Sequence, residues 1–219
     1  MNTGIASRYV YRGIERSALN WQAAIEGSVA GWQGRFWSSR SFSSGTPSEV
    51  QSMLGYRWSL LDEISVELKG THFWYVHAPI ADTASHSFEG AVDLSWNTHG
   101  HWHPSIELAY DIRFRSRTVE AAIARDFSIK AWGSSMELRG YGGNVAAQEV
   151  LPDAPSNSPQ DDYSYFGASA HLRHMLTEYW SLQLEISMAG TINQADEWSR
   201  YKNHSGSRGW FALGTNYRF

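Results

Sequence analysis

Apolar and polar residues alternate with period two along most of this chain, which marks strands rather than helices. The clearest run is Ser105 to Arg115, where Ile106, Leu108, Tyr110, Ile112 and Phe114 alternate with Glu107, Ala109, Asp111, Arg113 and Arg115. Trp180 to Ala189 sets Leu182, Leu184, Ile186 and Met188 against Ser181, Gln183, Glu185 and Ser187. The same reading places strands at Gly4–Arg12, Leu19–Gly31, Trp32–Arg40, Ser48–Trp58, Glu63–Tyr75, His86–Trp96, Arg117–Phe127 and Asp162–Leu172. Ile129–Tyr141 is less regular, and the closing strand Arg208–Phe219 ends on an aromatic residue. This predicts twelve strands, each near the roughly 9–11 residues that a tilted membrane strand needs. Ten or fourteen remain open, because Ile129–Tyr141 and Ser156–Tyr165 are ambiguous.

A soluble sandwich also alternates, with its apolar face on a core and its polar face in water. Three features favour a membrane instead. The polar parity is rich in Gly, Ala and Ser and carries charges in strand after strand, which suits a crowded lumen. Aromatic residues gather toward strand ends. Connections alternate in length, short near Gly31, Leu60, Phe127 and Leu176 and long at Ser39–Pro47, Val76–Ser85, Gly142–Asp161 and Ile192–Ser207. Short periplasmic turns and long external loops give this asymmetry. Arg115–Arg117, short where an external loop is due, and Asn97–Pro104, long where a turn is due, fit it poorly. The expected fold is all-β: one antiparallel up-and-down transmembrane barrel spanning residues 1–219, in a bacterial outer membrane.

Composition agrees. Aromatic residues make up 14% of the 219 positions, with 11 Trp and 11 Tyr, as belts at two membrane interfaces require. No apolar run approaches the ~18 residues of a transmembrane helix. The chain has no cysteine, which removes disulfides, thiolate metal sites and thiol chemistry. A net charge of -4 gives no basis for nucleic-acid binding. The start reads as a mature chain whose export signal has been removed, Met1 being an added initiator.

Residues Ser7-Arg8-Tyr9-Val10-Tyr11-Arg12-Gly13-Ile14-Glu15-Arg16-Ser17 resemble the S-x-Y-x-x-R-G-I-x-x-S motif of the TorF-type outer-membrane proteins, a family labelled Gcw_chp, a domain of unknown function. The motif positions are Ser7, Tyr9, Arg12, Gly13 and Ser17, and Arg16 stands where a polar amide often sits. Weaker echoes are Phe36-Trp37-Ser38-Ser39, Glu49 through Gly55-Tyr56, Phe73-Trp74-Tyr75 and Gly214-Thr215-Asn216-Tyr217. The resemblance implies an exported Gram-negative-type barrel and carries no activity onto any residue. Physically, Arg12 and Gly13 are expected at the outer end of the first strand. There Arg12 can pair with a lumen carboxylate and Gly13 can bend the chain inward. Glu15 and Arg16 are expected in the first external loop.

The candidate pore-lining residues are Glu26, Glu49, Glu67, Glu89, Asp93, Glu107, Asp111, Glu120, Asp126 and Glu185 on the acidic side. Arg57, Lys69, Arg113, Arg139 and Arg173 are their basic counterparts. A barrel of about twelve strands is wide enough for a narrow pore if loops stay out. An acidic excess favours cations slightly and admits small polar solutes. The expected function is a narrow passive channel, porin-like. The alternatives are a plugged barrel serving as an adhesin or receptor through its loops, or an outer-membrane hydrolase. No G-x-S-x-G elbow supports the hydrolase, and no catalytic residues are assigned. The triplet His99, His101 and His103 has metal-binding chemistry, but the spacing alone is weak and it falls in a periplasmic turn, so no metal and no cofactor is assigned. Expected partners are the lipid bilayer, lipopolysaccharide and the barrel-assembly machinery, which reads Phe219. The expected state is a monomer that does not bind nucleic acid.

Overall fold

A computed structural model describes residues 1–43, 48–76, 86–98, 100–147, 162–192 and 207–218. Its strands are β1 (Asn2–Ala6), β2 (Tyr9–Tyr11), β3 (Ile14–Ser17), β4 (Asn20–Val29), β5 (Trp32–Ser41), β6 (Ser48–Ser59) and β7 (Ile64–Val76). They continue with β8 (His86–Trp96), β9 (Trp102–Asp111), β10 (Ser116–Ile129), β11 (Ser134–Ala147), β12 (Tyr163–Met175), β13 (Trp180–Ile192) and β14 (Arg208–Tyr217). Twelve of these, β1 and β4 to β14, form a closed antiparallel barrel, each paired with its sequence neighbour. The seam joins β1 to β14 in the register Gly4↔Gly214 and Ile5↔Leu213, and β1 pairs on its other side with β4. Every barrel strand has a neighbour on both sides, the closure that a sheet in lipid requires, although the five-residue β1 spans only Asn20–Ala24 of β4 and Ala212–Asn216 of β14.

Side chains are sorted as the alternation requires. Ile25, Leu54, Leu68, Val92, Ile106, Ile186 and Phe211 all lie exposed on the outside. Most buried residues are instead small or polar and face inward, among them Ala24, Glu67, Ala91, Ala109, Asp111 and Ser187; the large buried ones include Trp37, Phe73, Tyr163 and Tyr165. An apolar exterior around a polar interior inverts the order of a soluble domain and makes this a membrane-spanning barrel of the outer-membrane type. Aromatic clusters mark one rim. Tyr56 packs edge-on to Trp32 and Trp58 at ring-centroid distances of 5.0 and 4.6 Å, and Trp180 lies 4.9 Å from Tyr217.

The termini share that rim, where the Met1 ammonium donates to the Tyr217 carbonyl at 2.8 Å. Connections there join β4 to β5, β6 to β7, β8 to β9, β10 to β11 and β12 to β13; at the opposite rim lie the turn 112–115 and the strand ends Ser41 and Ser48, Val76 and His86, Ala147 and Tyr163, and Ile192 and Arg208. The rim of shorter turns is periplasmic by the usual asymmetry. The two connections of unexpected length keep their assigned sides.

Several boundaries move. β10 runs on to Ile129, and a 3-10 turn at Lys130–Trp132 reverses the chain. β11 extends to Ala147, so Gly142–Ala147, read as the start of a loop, is wall. β9 ends at Asp111 because its carboxylate accepts the backbone N–H groups of Arg113 and Phe114, both at 2.9 Å, and closes a turn. The largest correction concerns the first strand. Wall pairing stops at Ala6, and residues 9–17 form a separate two-stranded sheet.

Candidate pore and its inner hairpin

Arg12 and Gly13 have φ of 49° and 78°, the left-handed pair that makes a tight two-residue hairpin turn between Tyr11 and Ile14. The hairpin enters the lumen from the external rim. Glu15 and Arg16, expected outside, therefore lie within the barrel. A two-stranded hairpin is marginal alone, so the wall must hold this one. Tyr9 packs on Trp37 of β5 at 5.0 Å, and its hydroxyl donates to Glu49 of β6 at 3.1 Å. Tyr11 meets the edge of Phe73 on β7. Ile14 is buried with Val145, Tyr163 and Tyr165 of β11 and β12. Glu15 pairs with Arg8 and with Arg208 of β14, while Ser7 exchanges hydrogen bonds with the Phe211 backbone.

Arg12 makes the strongest attachment. Its guanidinium donates to both Glu89 oxygens, at 2.6 and 3.0 Å, and lies 3.5 Å from Glu107. Their side chains are only 12% and 9% exposed for Arg12 and Glu89, so the bidentate pair is largely desolvated. Gly13 fits where little else can: a Cβ there would lie 2.8 Å from Tyr165 Cβ and 3.0 Å from the Gly190 carbonyl oxygen. Arg16 lies over the Tyr11 ring at 5.8 Å, and its Nε is buried without a hydrogen-bond partner, as is the Ser17 hydroxyl.

The remaining lumen charges form short ladders between strands. Lys69 donates to Glu107 at 2.5 Å, Arg57 to Glu67 at 2.6 Å, and Arg139 to Glu120 at 2.8 Å. The Tyr165 hydroxyl donates to the second Glu120 oxygen at 2.7 Å. Ser87 donates to Asp111, and Arg173 donates to Ser181 at 3.1 Å. Glu185 accepts from Ser187 at 2.6 Å. Asp93 shares the inner face of β8 with Glu89, and Glu26 lies opposite Arg35 across β4 and β5.

Thus Lys69, Glu89 and Glu107 gather around Arg12. Asp126 stands apart, bonded to His103 at 3.0 Å near the periplasmic rim. Arg113 is no wall residue: it lies exposed in the 112–115 turn that Asp111 caps. His101 occupies the 97–101 turn at φ 59°, whereas His99 lies outside the described residues, as does Phe219. No group of three or more metal-type ligands occurs among the described residues.

The sequence reading missed Arg35, Trp37 and Trp210. Phe36 and Trp37 put aromatic rings on both faces of β5, so alternation alone assigned neither side. Arg35 and Trp210 line a lumen cavity of about 470 Å³ with Arg12, Lys69, Glu120 and Glu185. Tyr11 and Arg12 close part of this cavity, so the hairpin tip is one of its walls.

Two solved structures share the architecture over their full length. The chain is similar to the NanC porin at a TM-score of 0.65 and 11% identity, covering 100% of this chain and 99% of that one. It is also similar to LpxR from Salmonella typhimurium at a TM-score of 0.56 and 6% identity, with 100% of each chain covered. At these identities the likeness is one of fold. No family model and no curated protein matches the sequence.

Proposed function

We propose that this barrel is a narrow passive channel for small ions and polar solutes, constricted from within by the hairpin of residues 9–17. One observation carries the reading: a polar cavity of about 470 Å³ persists in the lumen beside the hairpin, lined by charges from opposite walls. Interior charge sets selectivity in such a passage. Arg12, Arg16 and Arg35 offset much of the acidic excess, so cation preference is weak. The NanC likeness adds that a porin can be built on this fold. The resemblance of residues 7–17 to the TorF-type motif then belongs to the constriction itself. The reading includes a monomer in the bilayer, contact with lipopolysaccharide, recognition of Phe219 by the assembly machinery, and no catalytic chemistry.

The test is planar-bilayer recording in a salt gradient, on the full chain and on a variant without the hairpin. Ala6 and Asn20 are direct cross-strand partners. A two-residue Asn-Gly turn can therefore replace residues 7–19 and leave the wall register intact. Small steps that grow markedly on deletion support a constricted channel. Silence from both proteins, folded and inserted, overturns it. A silent full chain with a conducting deletion variant instead supports the second reading, a plugged barrel acting through its external segments, which the wall-to-wall hairpin contacts favour.

A further inference from the structure

The charged residues around the lumen cavity cancel in pairs, with two exceptions. Arg12 is matched by Glu89, Lys69 by Glu107 and Arg139 by Glu120. Among the described residues that line the cavity, Arg35 has no ion pair, and Glu185 has only the Ser187 hydroxyl. Glu26 faces Arg35 across β4 and β5 without closing an ion pair, and it does not line the cavity. His171 is opposite Glu185 across β12 and β13 and likewise does not line it. The unmatched guanidinium and the unmatched carboxylate project from separate arcs of wall, β5 and β13, which are separated by β4, β1 and β14. Trp210, on the intervening β14, adds a ring face to the same space.

We propose that this cavity is a selective subsite for small zwitterions carrying a carboxylate and an ammonium group, such as free amino acids. The carboxylate docks on Arg35, whose planar fork suits it. The ammonium docks on Glu185, beside the Trp210 ring. A singly charged solute satisfies one group and leaves the other uncompensated, so it gains less. The cavity is in the size range of small-molecule sites. This inference rests on the channel reading and names its solute class.

Osmotic swelling of proteoliposomes separates the two claims, with L-alanine as the zwitterion and lactamide as a neutral solute of similar size. Wild type should admit alanine faster by about fivefold, the size of an exposed ion-pair contribution. Arg35→Gln and Glu185→Gln should each bring the ratio near one. Lactamide entry without alanine preference, or a preference that survives both substitutions, overturns the zwitterion site while leaving the channel intact. If neither solute enters, the channel reading fails, and ligand-observed NMR of L-alanine with the detergent-solubilised protein decides the site. Broadening that Arg35→Gln abolishes supports it; no broadening overturns it.

Discussion

The wall strand β9 and the hairpin β2–β3 obey different rules, although both are short antiparallel segments of one barrel. In β9, Ile106, Leu108 and Tyr110 face lipid while Glu107, Ala109 and Asp111 face the lumen. Each side chain's direction follows from its parity, because one neighbour is hydrocarbon and the other is a polar interior. The hairpin has protein or lumen on both sides. Tyr9, Tyr11, Arg12, Ile14 and Glu15 all find partners inside the barrel, whatever their parity. Local pattern therefore directs the wall, while distant partners on the wall direct the hairpin.

The sharpest way to break this contrast is to remove the hairpin's principal anchor. Arg12→Ala leaves Glu89 and Glu107 facing a lumen without their guanidinium. Loss of one partner of a largely buried pair costs about 3–5 kcal/mol, and lumen water holds the effect to the lower end. Urea unfolding in lipid vesicles should show this loss, and single-channel steps should become larger and noisier as the tip detaches. A second change, Glu89→Ala, should recover part of the stability. A stable Arg12→Ala variant with unchanged conductance would show that the hairpin is held without its arginine.

The matching test of the wall is Ile106→Arg. Ile106 lies midway along β9 and is 41% exposed on the lipid face. An arginine at the bilayer midplane of such a barrel costs about 2–4 kcal/mol. The same unfolding assay should register that cost, with conductance unchanged in the folded fraction. A conductance change would mean that this face does not meet lipid.

These two tests also mark how far the sequence was legible. Twelve strands, their order and the inner or outer side of most wall residues follow from alternation and connection length. Arg113 was misplaced because Ile112 and Phe114 continue the alternation past the point where Asp111 caps a turn. The hairpin was missed for a similar reason. Ile5, Ser7, Tyr9 and Tyr11 against Arg8, Val10 and Arg12 pass for one more membrane strand. Partners far along the chain give those positions their inward direction: Glu89 and Glu107 for Arg12, Glu49 and Trp37 for Tyr9, and Phe73 for Tyr11. The Arg12-Gly13 pair was the available signal: a left-handed turn sits there, and its arginine needs a carboxylate. Arg35 carried no such signal, since its role depends on which other lumen charges are already paired.

Gly13→Val tests the tip rather than its charge. Gly13 has positive φ and no room for a Cβ beside Tyr165 and Gly190. Backbone strain of this kind costs about 1–3 kcal/mol, and the tip must also move off β12 and β13. The expected result is a modest drop in unfolding midpoint with a clear rise in conductance. The same substitution at Gly90, an outer-face glycine with nothing near its Cβ position, should change neither.

Tyr9→Phe is the smallest perturbation and the most discriminating. It keeps the ring on Trp37 and removes the hydroxyl that donates to Glu49. Gln51 still donates to the same Glu49 oxygen at 2.6 Å, so the carboxylate keeps a partner. The loss should be about 1.5 kcal/mol, the low end for a hydrogen bond to a charged group. Conductance should hold if Arg12 is the principal anchor and rise if the base of the hairpin matters as much as its tip. The second outcome would place control of the passage at Glu49, near the external rim, and the Arg12 cluster would become a support for it.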